Sequence, residues 1–265
     1  MRSKRAAAFL VVLGFATLSA PAAAGDLPNI VFGGDFESGT ALQWVRRHPQ
    51  ASGRSIALAP ALVSAAKLSN GDTEMTVWLQ VPPALNIESG YPFYSALKTF
   101  GPSNGTPPAI GDCVIATGVI TLFHGATELS PATVTTTAAN DCGGSPLAPY
   151  ATTVADSATD TSPSADNQPG PLAEALESVL VSVNPVDGRP GQPTESFSVV
   201  DSGTFSSNFL VVSPALLPTF SGLTPGMLYH FHITGVFDES DPSVAPPTNQ
   251  YQLLPRSADD VVVLP

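Results

Sequence analysis

An internal repeat of short β-type segments sets the strictest limit on the fold of this chain. The first copy runs from Ala61-Leu-Val-Ser-Ala through Thr117-Gly-Val-Ile to Glu128-Leu-Ser-Pro. The second copy has the same order, from Val179-Leu-Val-Ser-Val through Thr234-Gly-Val-Phe to Gln252-Leu-Leu-Pro. Repeated motif order predicts two structural units of the same topology within one chain.

The repeated segments have the pattern of strands. In the stretch 74–81, Met75, Val77 and Leu79 alternate with polar residues and Trp78, and this period of two is typical of a half-buried strand. The 27 prolines and 22 glycines indicate many turns between such strands. A glycine within each Thr-Gly-Val segment predicts a bulge or a sharp bend, as the corners of small closed barrels require. The chain is therefore expected to be all-β, with two small five-stranded Greek-key barrels in tandem.

The first 24 residues are predicted to be a signal peptide. Arg2, Lys4 and Arg5 precede an apolar stretch from Ala6 to Ala20, and small alanines follow at 22–24. This order of charge, apolar run and small residues is that of a cleaved export signal. The run is too short to span a bilayer, which takes about 20 apolar residues. The mature protein is thus expected to be secreted or periplasmic, with no membrane span.

The remaining chain divides into three parts by composition. Residues 25–140 are predicted to form an N-terminal strand and the first barrel, and residues 172–265 the second barrel. Between them, residues 141–171 are rich in Pro, Ser, Thr and Asp with little apolar periodicity, so they are interpreted as a linker. A short helix near residues 172–177 is the only helix expected.

Cys113 and Cys142 are the two cysteines of the chain. In an exported protein the expected state is a disulfide, although two buried thiols are an alternative. No C-x-x-C motif or neighbouring histidine pair supports a zinc site.

The charge of the chain bears on its partners. Cleavage after Ala24 removes three of the ten basic residues and would lower the formal charge from −12 to −15. Nucleic-acid binding depends on basic side chains that displace counterions from phosphates. The net charge therefore disfavours nucleic acid as a partner, and the partner is expected to be an unidentified protein or a glycan.

Several segments resemble one known group of modules. The run from Ile110 to Leu129 is similar to the last two strands of OB-fold modules that accompany secreted bacterial nucleases of the endonuclease/exonuclease/phosphatase type and lamin-tail proteins. Thr76-Val-Trp-Leu-Gln resembles another of their strands, and Glu177-Ser-Val-Leu-Val-Ser-Val and Gln250-Tyr-Gln-Leu-Leu-Pro resemble the opening and closing of a second module. The resemblance implies a tandem pair of OB-fold barrels over about residues 55–265. It carries over no active site, because the catalytic nuclease domain is absent.

The sequence predicts no enzyme. It contains no G-x-S-x-G elbow, no H-E-x-x-H motif and no glycine-rich phosphate loop. His230 and His232 are two apart in a predicted strand, where solvent-facing positions are a simpler interpretation than a metal site.

Ligand binding would use the barrel faces, where stacking requires aromatic side chains. The candidates are Trp78, Tyr94, Phe123 and Tyr251, together with Arg256 at the end of a closing strand. No cofactor is expected, with calcium as an alternative, because carboxylates in loops suit that ion. The candidate calcium ligands are Asp156, Asp160 and Asp166 in the linker, and Asp238 and Asp241 after the second Thr-Gly-Val segment.

The leading functional hypothesis is a secreted, non-catalytic tandem OB-fold protein for binding or scaffolding. One alternative is an accessory nucleic-acid-binding partner of an extracellular nuclease. Another is a carbohydrate-binding module, because Phe32-Gly-Gly-Asp-Phe-Glu-Ser-Gly is similar to the start of some secreted sugar-binding sandwiches.

Overall fold

The computed structural model describes residues 38–85, 92–103, 105–123, 126–160, 170–204, 208–239 and 251–265. The predicted signal peptide, residues 32–37 of the motif that begins at Phe32, and Asp166 and Asp241 lie outside these residues. In the N-terminal half, the helix α1 (Ser38–Arg47) precedes strands β1 (Ser55–Ser69), β2 (Glu74–Gln80), β3 (Ala96–Pro102), β4 (Cys113–Phe123) and β5 (Ala126–Thr136). Short 3-10 turns occupy Pro49–Ala51, Pro83–Leu85 and Ala139–Cys142.

The first five strands form a closed barrel with the order β1-β2-β3-β5-β4. Neighbours pair antiparallel except β3 and β5, which run parallel. Alternate side chains of each strand fill the interior, as the period of two requires. The barrel core includes Val63, Val77, Leu79, Leu97 and Val114, each fully buried. A mostly β fold with a closed five-stranded barrel, as the sequence predicts, is confirmed.

The C-terminal half forms a second sheet. It contains β6 (Tyr150–Thr152), α2 (Val154–Ser157), β7 (Thr159–Asp160), α3 (Ala173–Leu176), β8 (Leu180–Gly188), β9 (Phe197–Asp201), β10 (Asn208–Val212), β11 (Tyr229–Glu239), β12 (Tyr251–Leu254), a 3-10 turn at Ala258–Asp260 and β13 (Val261–Val263). The strand order is β13-β11-β12-β10-β9-β8-β6, with β7 on β10.

The pairings of the second sheet repeat those of the barrel. β8 pairs with both β9 and β11, and β12 pairs antiparallel with β11 but parallel with β10. The series β8-β9-β10-β12-β11 therefore returns to β8, as β1-β2-β3-β5-β4 returns to β1. The repeated sequence motifs occupy equivalent strands: β1 and β8, β4 and β11, β5 and β12.

Two features differ from the sequence prediction. The ten-residue helix α1 was not predicted, since the sequence indicates a helix only near residues 172–177. Leu42 and Val45 of α1 pack into the barrel core. The stretch interpreted as a linker contains β6, α2 and β7, and β6 extends the second sheet by pairing parallel with β8. Val154 of α2 is fully buried in the core of that sheet. The composition of residues 141–171 did not predict these elements, because the apolar residues that anchor them are few and widely spaced.

The two halves are joined by buried contacts. Ala65 and Trp78 of the barrel pack on Val236 and Leu254 of the second sheet. This explains why β2, predicted to be half-buried, has both faces covered over most of its length. A disulfide joins Cys113 to Cys142, with 5.8 Å between the Cα atoms, as the sequence predicts.

Candidate functional site

A groove of about 520 Å³ lies on the outside of the barrel, where the barrel faces the second sheet. We call this depression the groove. Strands β1 to β5 all contribute to its barrel wall, and its opposite wall is formed by Ala215, Asp238, Gln252 and Leu254. The site is therefore built by both copies of the internal repeat.

Strand alternation places the barrel side chains in the groove. On β2, Thr76 and Trp78 point outward, because their neighbours Met75, Val77 and Leu79 fill the barrel core. The antiparallel register sets Thr76 opposite Phe100 and Trp78 opposite Lys98. Directly paired side chains on one face of a sheet are close enough to touch. On the face that lines the groove, β2 and β3 each contribute one polar and one aromatic side chain.

Two of the predicted aromatic residues line the groove, and a third aromatic joins them. Trp78 is only 4% exposed and forms part of the wall between the barrel and the second sheet. Phe123, at the end of β4, is 50% exposed. Phe100 was not singled out in the sequence, although its position opposite Thr76 on a paired strand gives it the same outward direction.

The charges of the groove balance one another. Its lining contains Lys67 and Lys98, and the carboxylates Glu128 and Asp238. Lys98 Nζ lies 3.4 Å from Asp238 Oδ1, across the junction of the two halves. Burial disfavours the Lys98 ammonium, but Asp238, Glu177 and Glu128 outweigh that effect, so the pKa of Lys98 is raised. Lys98 therefore stays charged and is neutralised within the protein.

Hydroxyl and amide groups supply the remaining polar lining. Ser69, Thr76, Thr121 and Ser130 line the barrel wall, and Gln252 lies on the opposite wall. Hydroxyls and amides both donate and accept hydrogen bonds. Thr121 Oγ1 donates to the backbone oxygen of Ser130 at 2.8 Å, which fixes one such hydroxyl in place. The groove thus combines a balanced set of charges with neutral polar groups and aromatic rings.

The other predicted ligand-binding residues do not line the groove. Arg47 stacks over the Tyr94 ring at 5.3 Å. Tyr251 is 5% exposed, stacks on Phe237, and its hydroxyl donates to Glu174 at 3.3 Å. Arg256 makes a bidentate ion pair with Asp260, with both N···O distances 2.9 Å. The side chains of Tyr94, Tyr251 and Arg256 are therefore engaged in local contacts within the fold.

A buried ionic cluster beside the groove was missed by the sequence analysis. Arg46 of α1 and Glu177 are both fully buried, with 3.0 Å between Nη2 and Oε2. Arg46 Nη2 also donates to the backbone oxygen of Glu174 at 2.9 Å. Burial raises the pKa of Glu177 to about 7, which the nearby Arg46 charge partly opposes. Sequence offers no sign of this pair, since its members are 131 positions apart.

His230 of β11, Asp187 of β8 and Ser202, which follows β9, are not arranged for nucleophilic catalysis. His230 Nδ1 lies 2.6 Å from Asp187 Oδ1, and the Ser202 hydroxyl donates to that same oxygen. A serine nucleophile needs its hydroxyl at the histidine, with the carboxylate on the far side of the ring. His230 is exposed and Phe231 fully buried, as the alternation of the strand predicts.

Two of the carboxylates proposed as calcium ligands, those of Asp156 and Asp238, have other contacts in the structure. Thr153 Oγ1 donates to Asp156 Oδ2 at 2.8 Å, within the first turn of α2. Asp160 ends β7, and Asp238 pairs with Lys98. Within the described ranges, no group of three or more His, Cys, Asp or Glu side chains is placed to hold a metal ion. Calcium binding stays a prediction.

None of the helices that the structure describes is long and apolar enough to cross a membrane. Comparison of the chain with protein-family models finds no family that matches it, and comparison with curated proteins finds no relative.

Proposed function

We propose that this chain is a secreted, non-catalytic binding protein, made of two OB-like barrels in tandem, whose ligand occupies the groove. The observation that carries the proposal is the composite character of this site. Both copies of the repeat contribute walls, so one copy alone would not enclose a ligand. Ligand sites commonly lie at such junctions between units.

The strand pairings support the tandem arrangement. An order of 1-2-3-5-4 with a parallel 3–5 pair is the topology expected of a five-stranded Greek-key barrel of the OB type. The barrel has this order, and the cyclic pairings of β8 to β12 repeat it. The sequence motifs that recur in equivalent strands support a common origin of the two units.

Secretion is supported by the N-terminal sequence and by the disulfide. Disulfides persist in oxidising compartments outside the cytoplasm. If the proposal is right, the chain expressed in an exporting bacterium accumulates outside the cytoplasm, and its intact mass corresponds to a protein that begins at Gly25. Retention in the cytoplasm with residues 1–24 still attached would refute this part of the proposal.

A non-catalytic role is supported by the chemistry of the groove. Its carboxylates lie beside Lys98, and the lining residues that the structure describes include no histidine or cysteine. General acid–base or nucleophilic catalysis needs a group whose proton affinity suits transfer to a substrate. The arrangement is better suited to holding a ligand than to transforming one.

The test uses the fluorescence of Trp78. Trp44→Phe leaves Trp78 as the one tryptophan of the chain, and phenylalanine preserves the stacking of residue 44 on His48. The protein is titrated with neutral oligosaccharides, single-stranded DNA and mixed peptides, and each ligand is recovered and checked by mass. We expect one class to change the emission saturably and to be recovered intact. No response from any class, or conversion of a ligand, would contradict the proposed function.

A further inference from the structure

We propose that the groove binds a neutral oligosaccharide, which lies between the aromatic and hydroxyl-bearing wall of the barrel and the wall of the second sheet. This inference rests on the proposed function and assigns the chemical class of its ligand. It depends on three properties of the groove: its charge balance, its polar groups and its dimensions.

The charge balance disfavours a polyanion. A strand of nucleic acid needs several cations free to replace its counterions. Among the residues that the structure describes, two lysines line the groove, and Lys98 is engaged by Asp238 at 3.4 Å. Glu128 lies directly beside Lys98 in the parallel pairing of β3 and β5. A phosphate chain would therefore find one exposed lysine in this lining, Lys67, to replace its counterions.

The same balance disfavours a strongly cationic ligand. Glu128 and Asp238 are each 5% exposed, so they lie in the walls with little of their surface open to a ligand. Their charges are opposed by Lys67 and Lys98 in the same lining. An uncharged ligand loses the least solvation when it enters such a site.

The polar groups match a ligand with many hydroxyls. Each sugar hydroxyl both donates and accepts a hydrogen bond, as do the hydroxyls of Ser69, Thr76 and Ser130 and the amide of Gln252. Partners of this kind pair with one another in either direction. The ring faces of sugars are apolar, and Phe100 and Phe123 offer apolar surface beside these polar groups.

The dimensions fit a short oligosaccharide. The volume of about 520 Å³ lies within the range of about 300–1,000 Å³ that is typical of small-ligand sites. The groove lies on the surface and Phe123 is half exposed at its wall, so a longer chain can extend beyond it. These properties favour a chain segment over a whole folded partner.

The experiment compares ligand classes on the same protein. The Trp44→Phe variant is titrated with tetrasaccharides of glucose, mannose, xylose, galactose and N-acetylglucosamine, and separately with oligothymidylate at low salt. Calorimetric titration of the unmodified mature protein repeats each measurement, so the result does not depend on the variant. We expect saturable binding of at least one neutral tetrasaccharide and none of oligothymidylate.

A pair of variants locates the binding. Thr76→Phe fills the groove without changing charge, and Thr135→Phe adds the same bulk at an exposed position of β5 outside the groove lining. We expect Thr76→Phe to weaken binding by at least about tenfold, and Thr135→Phe to leave it unchanged. Circular dichroism and thermal melts establish that both variants are folded.

The outcomes separate the two proposals. Binding of oligothymidylate or of a peptide alone would overturn the sugar assignment and leave the proposed binding function standing. Binding of a tetrasaccharide that Thr76→Phe does not weaken would overturn the assignment of the groove. Absence of binding by every class would overturn both.

Discussion

At the scale of single residues, the ionic cluster of Arg46 and Glu177 makes the stability of this protein depend on pH. Burial raises the pKa of Glu177 to about 7, above the ordinary value of 4.5. Between these two values the folded protein holds a proton that the unfolded chain has released. The contribution of Glu177 to the free energy of unfolding therefore falls as pH rises through this window. The fall amounts to about 3 kcal/mol at most.

Glu177→Gln tests this dependence, because glutamine cannot ionise. The variant is expected to lack the part of the decline that Glu177 causes, while Glu239, whose pKa burial also raises to about 7, retains its own part. Denaturant unfolding between pH 4 and 8 measures both proteins. Glutamine also changes the hydrogen-bond partner of Arg46, so the slope of stability against pH, and not its level, is the test. Parallel curves for the two proteins would refute the prediction.

The same scale shows which site residues sequence can identify. Trp78 and Phe123 were predicted as ligand-binding aromatics, and both line the groove. The same grounds predict Tyr251, yet its ring is stacked on Phe237 inside the second sheet. A tyrosine or arginine at the end of a strand gives the same sequence pattern whether its side chain is exposed or packed against a neighbouring residue. Whether such a side chain is exposed depends on how the two halves pack together, and residue type alone does not predict that packing.

At the scale of single elements, the glycine of each Thr-Gly-Val segment has a precise steric role. Gly118 lies at a bulge in the pairing of β4 with β5, as predicted. Gly235 has regular pairing with Val181 of β8, and the register of β11 shifts instead between Phe231 and Ile233. A Cβ at Gly235 would lie 2.7 Å from the backbone carbonyl of Leu254. The requirement for glycine is therefore close approach of the next strand in the second unit.

Gly235→Ala is expected to destabilise the protein by about 1–3 kcal/mol, because backbone atoms must move to admit the methyl group. Thr234→Ala is the control, since it also changes β11 but introduces no new atom. Thermal or denaturant unfolding of the two variants provides the comparison. If Gly235→Ala were as stable as the unmodified protein, β11 and β12 could move apart to admit the methyl group without loss of stability, and the prediction would be wrong.

The disulfide fastens the start of β4 to the 3-10 turn that follows β5. It links residues 29 positions apart, and the sulfurs lie in a small apolar cluster with Leu62. Restricting an unfolded loop of this length contributes about 3.5 kcal/mol in the chain-entropy account. Replacing Cys113 and Cys142 together by serine should lower the free energy of unfolding by an amount of this order. Wild-type protein measured under reducing conditions should match the variant, and unchanged stability in both would contradict the prediction.

Elements were predicted with uneven success, for reasons that lie in their patterns. Strands such as β2 and β4 carry alternation or β-branched runs, which local sequence displays. α1 depends on Leu42 and Val45 packing against the barrel, and a ten-residue helix has little stability of its own. β6 has three residues and is defined by its pairing with β8. Elements that are stabilised by residues far away in the sequence have only a weak local sequence pattern.

At the scale of the whole molecule, the barrel and the second sheet share buried contacts. Gln80 of β2 is fully buried, and its Oε1 accepts a hydrogen bond from the Leu180 backbone N–H at 3.0 Å. The Trp78 contacts and the Lys98–Asp238 ion pair lie in the same junction. Contacts that are buried between the halves are lost when either half unfolds. We therefore expect a single calorimetric transition, with equal calorimetric and van't Hoff enthalpies.

Gln80→Ala tests this coupling most directly. It leaves the Leu180 N–H buried without its acceptor, which costs about 1–3 kcal/mol. For a chain of this size, the midpoint should fall by about 2–4 °C for each kcal/mol. The exposed Gln50→Ala is the matched control and should leave the midpoint unchanged. If the halves are coupled, the whole transition moves as one peak. A second peak that stays at the original temperature would show instead that the two copies of the repeat unfold independently, and a groove built from both would then lack a fixed shape.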